Sequence, residues 1–163
     1  MRKSLRTAML VCVIVFVNGV TANAIIKPRS RLQLSKRKIA KTTVNVGNLR
    51  VQSSDELVIE GQQVRLDLNV KNTGTREVVL SGLNFQLLTQ NRKYNALNVS
   101  TINRNQQTTQ HKDSFFFETL YPESSLKGTI VFEIPDANQI KGRVYLKIGE
   151  SVFGSKSKTV LLS

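Results

Sequence analysis

The chain has 163 residues, the length of a single domain with its own hydrophobic core. Its 24 Lys and Arg residues against 11 Asp and Glu residues give a net charge of +13, which favours anionic partners. One cysteine and one histidine exclude an intrachain disulfide and any metal site that needs several Cys or His ligands.

The chain opens with the pattern of a cleavable secretory signal peptide, predicted over residues 1–24. A basic segment at residues 1–6 precedes an apolar run at residues 8–17, and Ala22 and Ala24 form a cleavage site after Ala24. The alternative is a membrane anchor, but the run is about half of the roughly 20 apolar residues that span a bilayer. The sequence therefore predicts a protein that is secreted or associated with the cell envelope, with no transmembrane segment after cleavage.

The single cysteine, Cys12, lies inside the apolar run of this signal peptide. A lipidated cysteine would follow the run and have a small residue before it, whereas Val11 precedes Cys12 and further apolar residues follow. The mature product then has no disulfide and no thiolate, in a compartment that permits disulfides. Because bacterial secreted domains often lack disulfides, this composition favours a Gram-positive bacterial source.

Positive charge is concentrated directly after the signal peptide. Residues 25–54 contain eight basic and no acidic side chains, whereas residues 55–163 contain 13 basic and 11 acidic ones. We predict a basic, flexible arm over residues 25–42 that does not pack with the domain. It is either a solvated spacer or an electrostatic contact to wall polyanions, anionic lipid head groups or extracellular DNA. The candidate polyanion contacts are Lys27, Arg29, Arg31, Lys36, Arg37, Lys38 and Lys41.

The remaining residues, 43–163, alternate between apolar and polar side chains as β-strands do. The alternation is unbroken over residues 64–71, and it recurs over residues 83–87, 129–134 and 144–148. Turn-forming residues lie between these runs. Seven or eight short strands with turns between them predict an all-β, two-sheet antiparallel sandwich.

The polar segment at residues 103–113 is too hydrophilic for a core strand, and we predict a long exposed loop there. No segment of the chain has the apolar periodicity of a useful amphipathic helix. The one histidine, His111, lies in this predicted loop, where preorganised catalytic geometry is not expected. We therefore predict no enzyme activity, no catalytic or metal-binding residues and no cofactor.

Three consecutive aromatic residues, Phe115, Phe116 and Phe117, follow this loop. Consecutive side chains of a strand point to opposite faces, so two of the three enter the core and Phe116 faces outward. Phe116 is then either covered by a loop or the arm, or is an exposed anchor for a protein partner. It is the candidate partner contact of the sequence.

Two stretches resemble a known family. Residues 64–74 read VRLDLNVKNTG, a strand followed by an Asn-Thr-Gly turn, and residues 120–135 read LYPESSLKGTIVFEIP. They are similar to the telokin-like, immunoglobulin-like domain of unknown function common in secreted and lipid-anchored Gram-positive proteins, and to mycobacterial secreted immunoglobulin-like antigens. The chain departs from the family at Glu123, where glycine usually follows the proline. The resemblance spans about residues 43–162 and implies an extracellular immunoglobulin-like sandwich, usually without enzyme activity.

Three functions are compatible with these features. The first is a secreted, non-enzymatic binding module of unknown ligand, associated with the envelope through its basic arm. The second is a secreted inhibitor or immunity-type factor that binds one enzyme or toxin in a discrete complex. The third is an extracellular nucleic-acid-associated role, which rests on charge alone because the arm lacks aromatic residues for base stacking.

Overall fold

The computed structural model describes residues 34–108, 114–136, 140–150 and 156–163, and the structural statements below concern these residues. The predicted signal peptide, the first part of the predicted arm and His111 lie outside them.

The described part of the chain contains eleven strands, one α-helix and a short 3-10 helix at Gly82–Asn84. The elements are β1 (Leu34–Lys38), β2 (Thr43–Val46), β3 (Leu49–Glu60), β4 (Gln63–Asn72), β5 (Val78–Val79), β6 (Phe85–Leu88), β7 (Lys93–Asn95), α1 (Asn98–Thr108), β8 (Thr119–Leu120), β9 (Ser125–Glu133), β10 (Tyr145–Gly149) and β11 (Ser157–Leu161).

These strands form two main antiparallel sheets and one small one. The five-stranded sheet has the order β1-β3-β4-β9, and β2 also pairs with β3. The four-stranded sheet has the order β11-β10-β6-β7, and β5 pairs with β8 to form the small sheet.

The alternating sequence of β4 places one set of side chains in the core and the other on the outer face of the sheet. Leu66 and Leu68 are buried, whereas Asp67 between them is exposed. Phe85 and Leu146 of the four-stranded sheet are buried in the same apolar cluster. One hydrophobic core therefore lies between the two main sheets, and the predicted all-β sandwich is confirmed. It contains more strands than the predicted seven or eight, because short and polar segments also form strands.

The sheet begins earlier than the sequence predicts. Strand β1 lies within the predicted flexible arm, yet its backbone pairs with β3 along its whole length, from Leu34 opposite Glu60 to Lys38 opposite Glu56. The prediction that this segment lies outside the sandwich is therefore wrong for β1. An edge strand keeps one side and one face in water, so basic side chains are compatible with it, and charge alone did not reveal the strand.

Helix α1 replaces the first part of the predicted exposed loop at residues 103–113. Its buried residues are polar, Thr101 and Asn105. The helix therefore has no apolar stripe, and apolar periodicity could not detect it. Residues 109–113 lie outside the described residues.

The three consecutive phenylalanines form a tight bend rather than a strand. Phe115 and Phe117 have φ angles of 64° and 63°, in the left-handed region. Phe115 and Phe116 are fully buried and pack beside Phe85, whereas Phe117 is 58% exposed. The prediction that Phe116 faces outward is therefore wrong, because a bend does not obey the two-residue alternation of a strand.

Candidate functional site: a polar groove on the outer face

A groove with a volume of about 410 Å³ crosses the outer face of the five-stranded sheet. We call it the polar groove. Its lining side chains are Lys41, Gln52, Ser54, Asp67, Asn69, Asn105, Thr108, Lys127 and Thr129, with Ser53, Leu68 and Gly128 beneath them.

The floor of the polar groove follows from the register of three strands. Gln52 of β3 lies opposite Asn69 of β4, which lies opposite Lys127 of β9. In the next row Asp67 lies opposite Thr129, and the Thr129 hydroxyl donates a 2.6 Å hydrogen bond to Asp67 Oδ1. Directly opposite residues share one face of a sheet, so these side chains form a continuous polar surface.

One wall of the groove is the last turns of α1. The Asn105 amide binds the backbone of Thr129 as a neighbouring strand would, because its Nδ2 donates to the Thr129 carbonyl and its Oδ1 accepts from the Thr129 N–H, both at 2.8 Å. One turn earlier, the Val131 N–H donates to Thr101 Oγ1 at 3.0 Å. These bonds fix the helix against the edge of β9.

The opposite wall is the β1–β2 connection, which presents Lys41. The Ser53 hydroxyl accepts a hydrogen bond from the Thr42 N–H at 3.1 Å, and the two hydroxyls lie 3.0 Å apart. Ser53 also marks a bulge in β3, since the register with β4 shifts between Ser53 and Leu57. The bulge and the hydroxyl pair hold Lys41 at the rim of the groove.

Around the groove four cations outnumber the two carboxylates, Asp67 and Glu123. Lys41 and Lys127 line it, and one row away Arg50 lies directly opposite Lys71 on the same face. Lys71 pairs with Glu123 at 2.6 Å, whereas Lys41, Arg50 and Lys127 form no ion pair with any described carboxylate. Because like charges opposite one another are unfavourable, this face suits an anionic partner.

The structure separates the predicted polyanion contacts into three groups. Lys27, Arg29 and Arg31 lie outside the described residues. Lys36 pairs with Glu56 at 2.9 Å, and this hydrogen bond and the Glu56 charge raise the pKa of Lys36. Arg37 Nη2 donates to the Gly142 carbonyl at 2.9 Å. Lys38 and Lys41 are exposed, and of the four described members of this set only Lys41 lines the groove.

Most of the groove could not be found from sequence. Its residues come from five separate segments between positions 41 and 129, and most of them are ordinary polar types. The available signal was that Asp67 and Asn69 occupy the outward positions of the alternating run at residues 64–71. That pattern predicts a solvated face and does not identify a binding site.

Two further properties concern the described residues. They contain no cluster of three or more His, Cys, Asp or Glu residues placed to hold a metal ion. No helix within them is long and apolar enough to cross a membrane.

Three solved structures with a similar fold come from Gram-positive bacteria. A functionally unknown protein from Listeria monocytogenes EGD-e aligns with a TM-score of 0.54 and 10% identity, covering 80% of this chain and 86% of that one. A conserved hypothetical protein from Bacillus anthracis aligns with a TM-score of 0.54 and 12% identity, covering 72% and 92% of the two chains.

A third similar structure is a "putative lipoprotein" from Bacillus subtilis, with a TM-score of 0.51 and 17% identity. The alignment covers 75% of this chain but 38% of that protein, so the likeness concerns one part of it. At such identities these likenesses show a common fold.

Sequence comparison identifies the family. No curated protein is detectably similar to the chain. The family described as Domain of unknown function (DUF4352) matches residues 30–158, which include β1 and both stretches on which the resemblance was based. This protein therefore belongs to the DUF4352 family.

Proposed function

We propose that the protein is a secreted, non-enzymatic binding module that associates with anionic polymers of the Gram-positive cell envelope. The observation that carries the proposal is the cationic outer face, where Lys41, Arg50, Lys71 and Lys127 surround the polar groove. Four cations close together on one sheet face present a positive field that attracts anionic polymers.

Sequence and family support this proposal. Residues 1–24 have the pattern of an export signal, which would deliver the domain outside the cell. The similar solved folds come from Gram-positive bacteria, and one of them is described as a candidate lipoprotein. We also propose the immunoglobulin-like assignment of the sandwich on the basis of the sequence resemblance.

The site of attraction in this proposal differs from the one that the sequence favours. Lys36 and Arg37 already have partners within the domain, so they are less available to a polymer. The groove cations are exposed or half-exposed, and three of them have no described carboxylate partner. We therefore assign the main electrostatic contact to the sheet face, with any contribution from Lys27, Arg29 and Arg31 added to it.

Sedimentation with isolated Gram-positive cell walls tests this function. We expect the bound fraction of the protein to fall steadily as salt rises, because screening weakens the contact between exposed charges. Binding that does not respond to salt, or no binding at low salt, would contradict the proposal. Assays for hydrolysis of wall material in the same samples test the non-enzymatic part.

A second candidate function is binding of one protein partner, as an inhibitor or immunity-type factor would do. The supporting observation is Phe117, a 58% exposed aromatic side chain in a bend held in the left-handed conformation. Exposed, rigidly held aromatic residues are typical anchors of protein interfaces. Crosslinking from position 117 in culture medium should yield one stoichiometric complex that is absent for Phe117→Ser, and broad salt-sensitive products would favour the first function instead.

A further inference from the structure

The polar groove contains a polar atom for which the described residues supply no hydrogen-bond partner. Asn69 Oδ1 is shielded from solvent, and no described residue donates a hydrogen bond to it. An unpaired buried amide oxygen costs about 1–3 kcal/mol of stability. Asn69 lines the groove from the middle strand of its floor, between Gln52 and Lys127, so rotation of its side-chain amide would turn Oδ1 toward a molecule lying there.

The two groove lysines need hydrogen-bond acceptors, whereas Asn69 Oδ1 needs a donor. Lys41 and Lys127 present hydrogen-bond donors and positive charge from the two sides of the groove, without a described carboxylate partner. A ligand that satisfies the groove must therefore supply anionic acceptors to the lysines and a hydrogen-bond donor to Asn69.

We infer that the polar groove binds a polyol phosphate chain, in which hydroxyl-bearing alcohol units are joined by phosphodiesters. Its phosphate oxygens accept hydrogen bonds from Lys41 and Lys127, and a polyol hydroxyl donates to Asn69 Oδ1. This inference rests on the proposed envelope association and names the class of polymer recognised.

Other anionic polymers satisfy fewer of these groups. The inner phosphates of polyphosphate have no O–H group to offer Asn69. Single-stranded nucleic acid is usually bound with aromatic residues on which bases stack, and none of the described residues that line the groove is aromatic. The groove crosses three strands, which suits an extended chain better than an isolated ion.

Calorimetric titration of the purified protein with a soluble glycerol phosphate oligomer tests the inference. The comparison probe is polyphosphate with the same number of phosphates. We expect the glycerol phosphate oligomer to bind more tightly, because it alone supplies the hydroxyl donor. Equal or tighter binding of polyphosphate would overturn the inference.

Paired substitutions locate the site. The double variant Lys41→Gln and Lys127→Gln should lose about tenfold or more in affinity for the oligomer, since it removes two hydrogen bonds to charged groups. The control, Lys147→Gln with Lys158→Gln, makes the same change in net charge on the four-stranded sheet and should retain most of the affinity. Equal losses in the two variants would show non-specific attraction and overturn the inference.

The variant Asn69→Ala isolates the hydroxyl contact. It should weaken binding of the glycerol phosphate oligomer while leaving polyphosphate binding unchanged. Its melting temperature should stay the same or rise, because the substitution removes an unsatisfied oxygen. Equal binding of the oligomer by this variant and the unmodified protein would overturn the assignment of Asn69.

Vesicles containing phosphatidylglycerol distinguish a soluble polymer from a lipid head group with the same chemistry. We expect binding to the oligomer in solution; binding to vesicles without oligomer binding would overturn the inference. These titrations contain no cell walls. If the oligomer does not bind in these titrations but the protein still sediments with cell walls in a salt-sensitive way, the groove assignment is wrong and the proposed function stands.

Discussion

Glu123 occupies a backbone conformation that glycine adopts more easily. Its φ angle is 60°, in the turn between β8 and β9, where its N–H donates to the Asn72 carbonyl at 2.9 Å. The family pattern that the sequence resembles places glycine at this position, so the departure at Glu123 coincides with a left-handed residue. The exposed ion pair with Lys71 offsets only part of the steric cost.

We predict that Glu123→Gly is more stable than Glu123→Ala by about 1 kcal/mol, because alanine retains the left-handed strain. Both variants lose the ion pair with Lys71, so their difference isolates the backbone. Glu123→Ala should lie less than about 1 kcal/mol below the unmodified protein. Urea denaturation measures all three, and equal stability of the two variants would contradict the explanation.

Asn72 is the buried centre of the Asn-Thr-Gly turn. Its Nδ2 donates to the carbonyls of Arg76 and Leu120 at 2.7 and 2.9 Å, and its Oδ1 accepts from the Gly74 N–H at 2.9 Å. The sequence predicted a turn here, but the amide also joins the end of β4 to β8. This tertiary role is not visible in a local turn pattern.

Replacement of this amide by a carboxyl group should strongly destabilise the folded state. Asn72→Asp places an oxygen against two carbonyls, and we expect a loss of about 3 kcal/mol or more at neutral pH. Burial and the facing carbonyls raise the pKa of the new carboxyl group in the folded state. The variant should therefore be relatively more stable at acidic pH and lose stability as pH rises through that raised pKa.

Urea denaturation at several pH values measures this effect. Asn45→Asp makes the same chemical change at an exposed position of β2 and should change stability by less than about 0.5 kcal/mol. A similar small effect at Asn72 would show that its hydrogen bonds contribute little.

At the scale of elements, α1 covers the open edge of β9. Asn105 and Thr101 lie four residues apart, on one helix face, and both bind the backbone of β9. A free strand edge readily pairs with another chain, so this cover protects the sheet. Its fully buried side chains are polar, and Ile102 is its one apolar side chain among those packed against the core, which explains why apolar periodicity missed the helix.

We predict that Asn105→Leu removes this protection. The substitution leaves the Thr129 N–H and carbonyl without their side-chain partner and should cost about 2–3 kcal/mol. The exposed edge should also cause concentration-dependent self-association. Asn103→Leu, on the exposed side of the same helix, is the matched control.

Denaturation and light scattering over a concentration series measure both effects. If Asn105→Leu remains monomeric and as stable as Asn103→Leu, then α1 does not protect the edge.

At the scale of the whole molecule, the sequence predicted the features that depend on alternating apolar and polar residues. It missed the features that depend on polar contacts between distant segments. The strands around Leu66, Phe132 and Leu146 follow from apolar spacing because their inner faces form the core. The polar groove depends on the register of β3, β4 and β9, and register is fixed by contacts between distant segments. Only the fold class and the basic character of the surface were therefore accessible from the sequence.

The N-terminal boundary of the domain is another feature that the sequence pattern did not reveal. A chain that begins at residue 34 retains β1, whereas one that begins at residue 43 loses it. The loss exposes residues Glu56–Glu60 of β3 as a free edge and removes the buried side chain of Ile39 and the Arg37 bond to Gly142. We predict that the shorter chain is less stable by several kcal/mol, from about 2 kcal/mol for the lost apolar burial and further lost hydrogen bonds.

Charge and strand pairing must be separated in this experiment. Within the chain that begins at residue 34, Lys36→Gln with Lys38→Gln removes two charges but keeps the backbone pairing of β1. This variant should retain nearly all of the stability, because exposed ion pairs contribute little. Equal denaturation midpoints for the chains beginning at residues 34 and 43 would show that β1 is dispensable. If the two midpoints differ, polyanion binding must be tested with charge substitutions, because deleting residues 25–42 would damage the sheet that presents the groove.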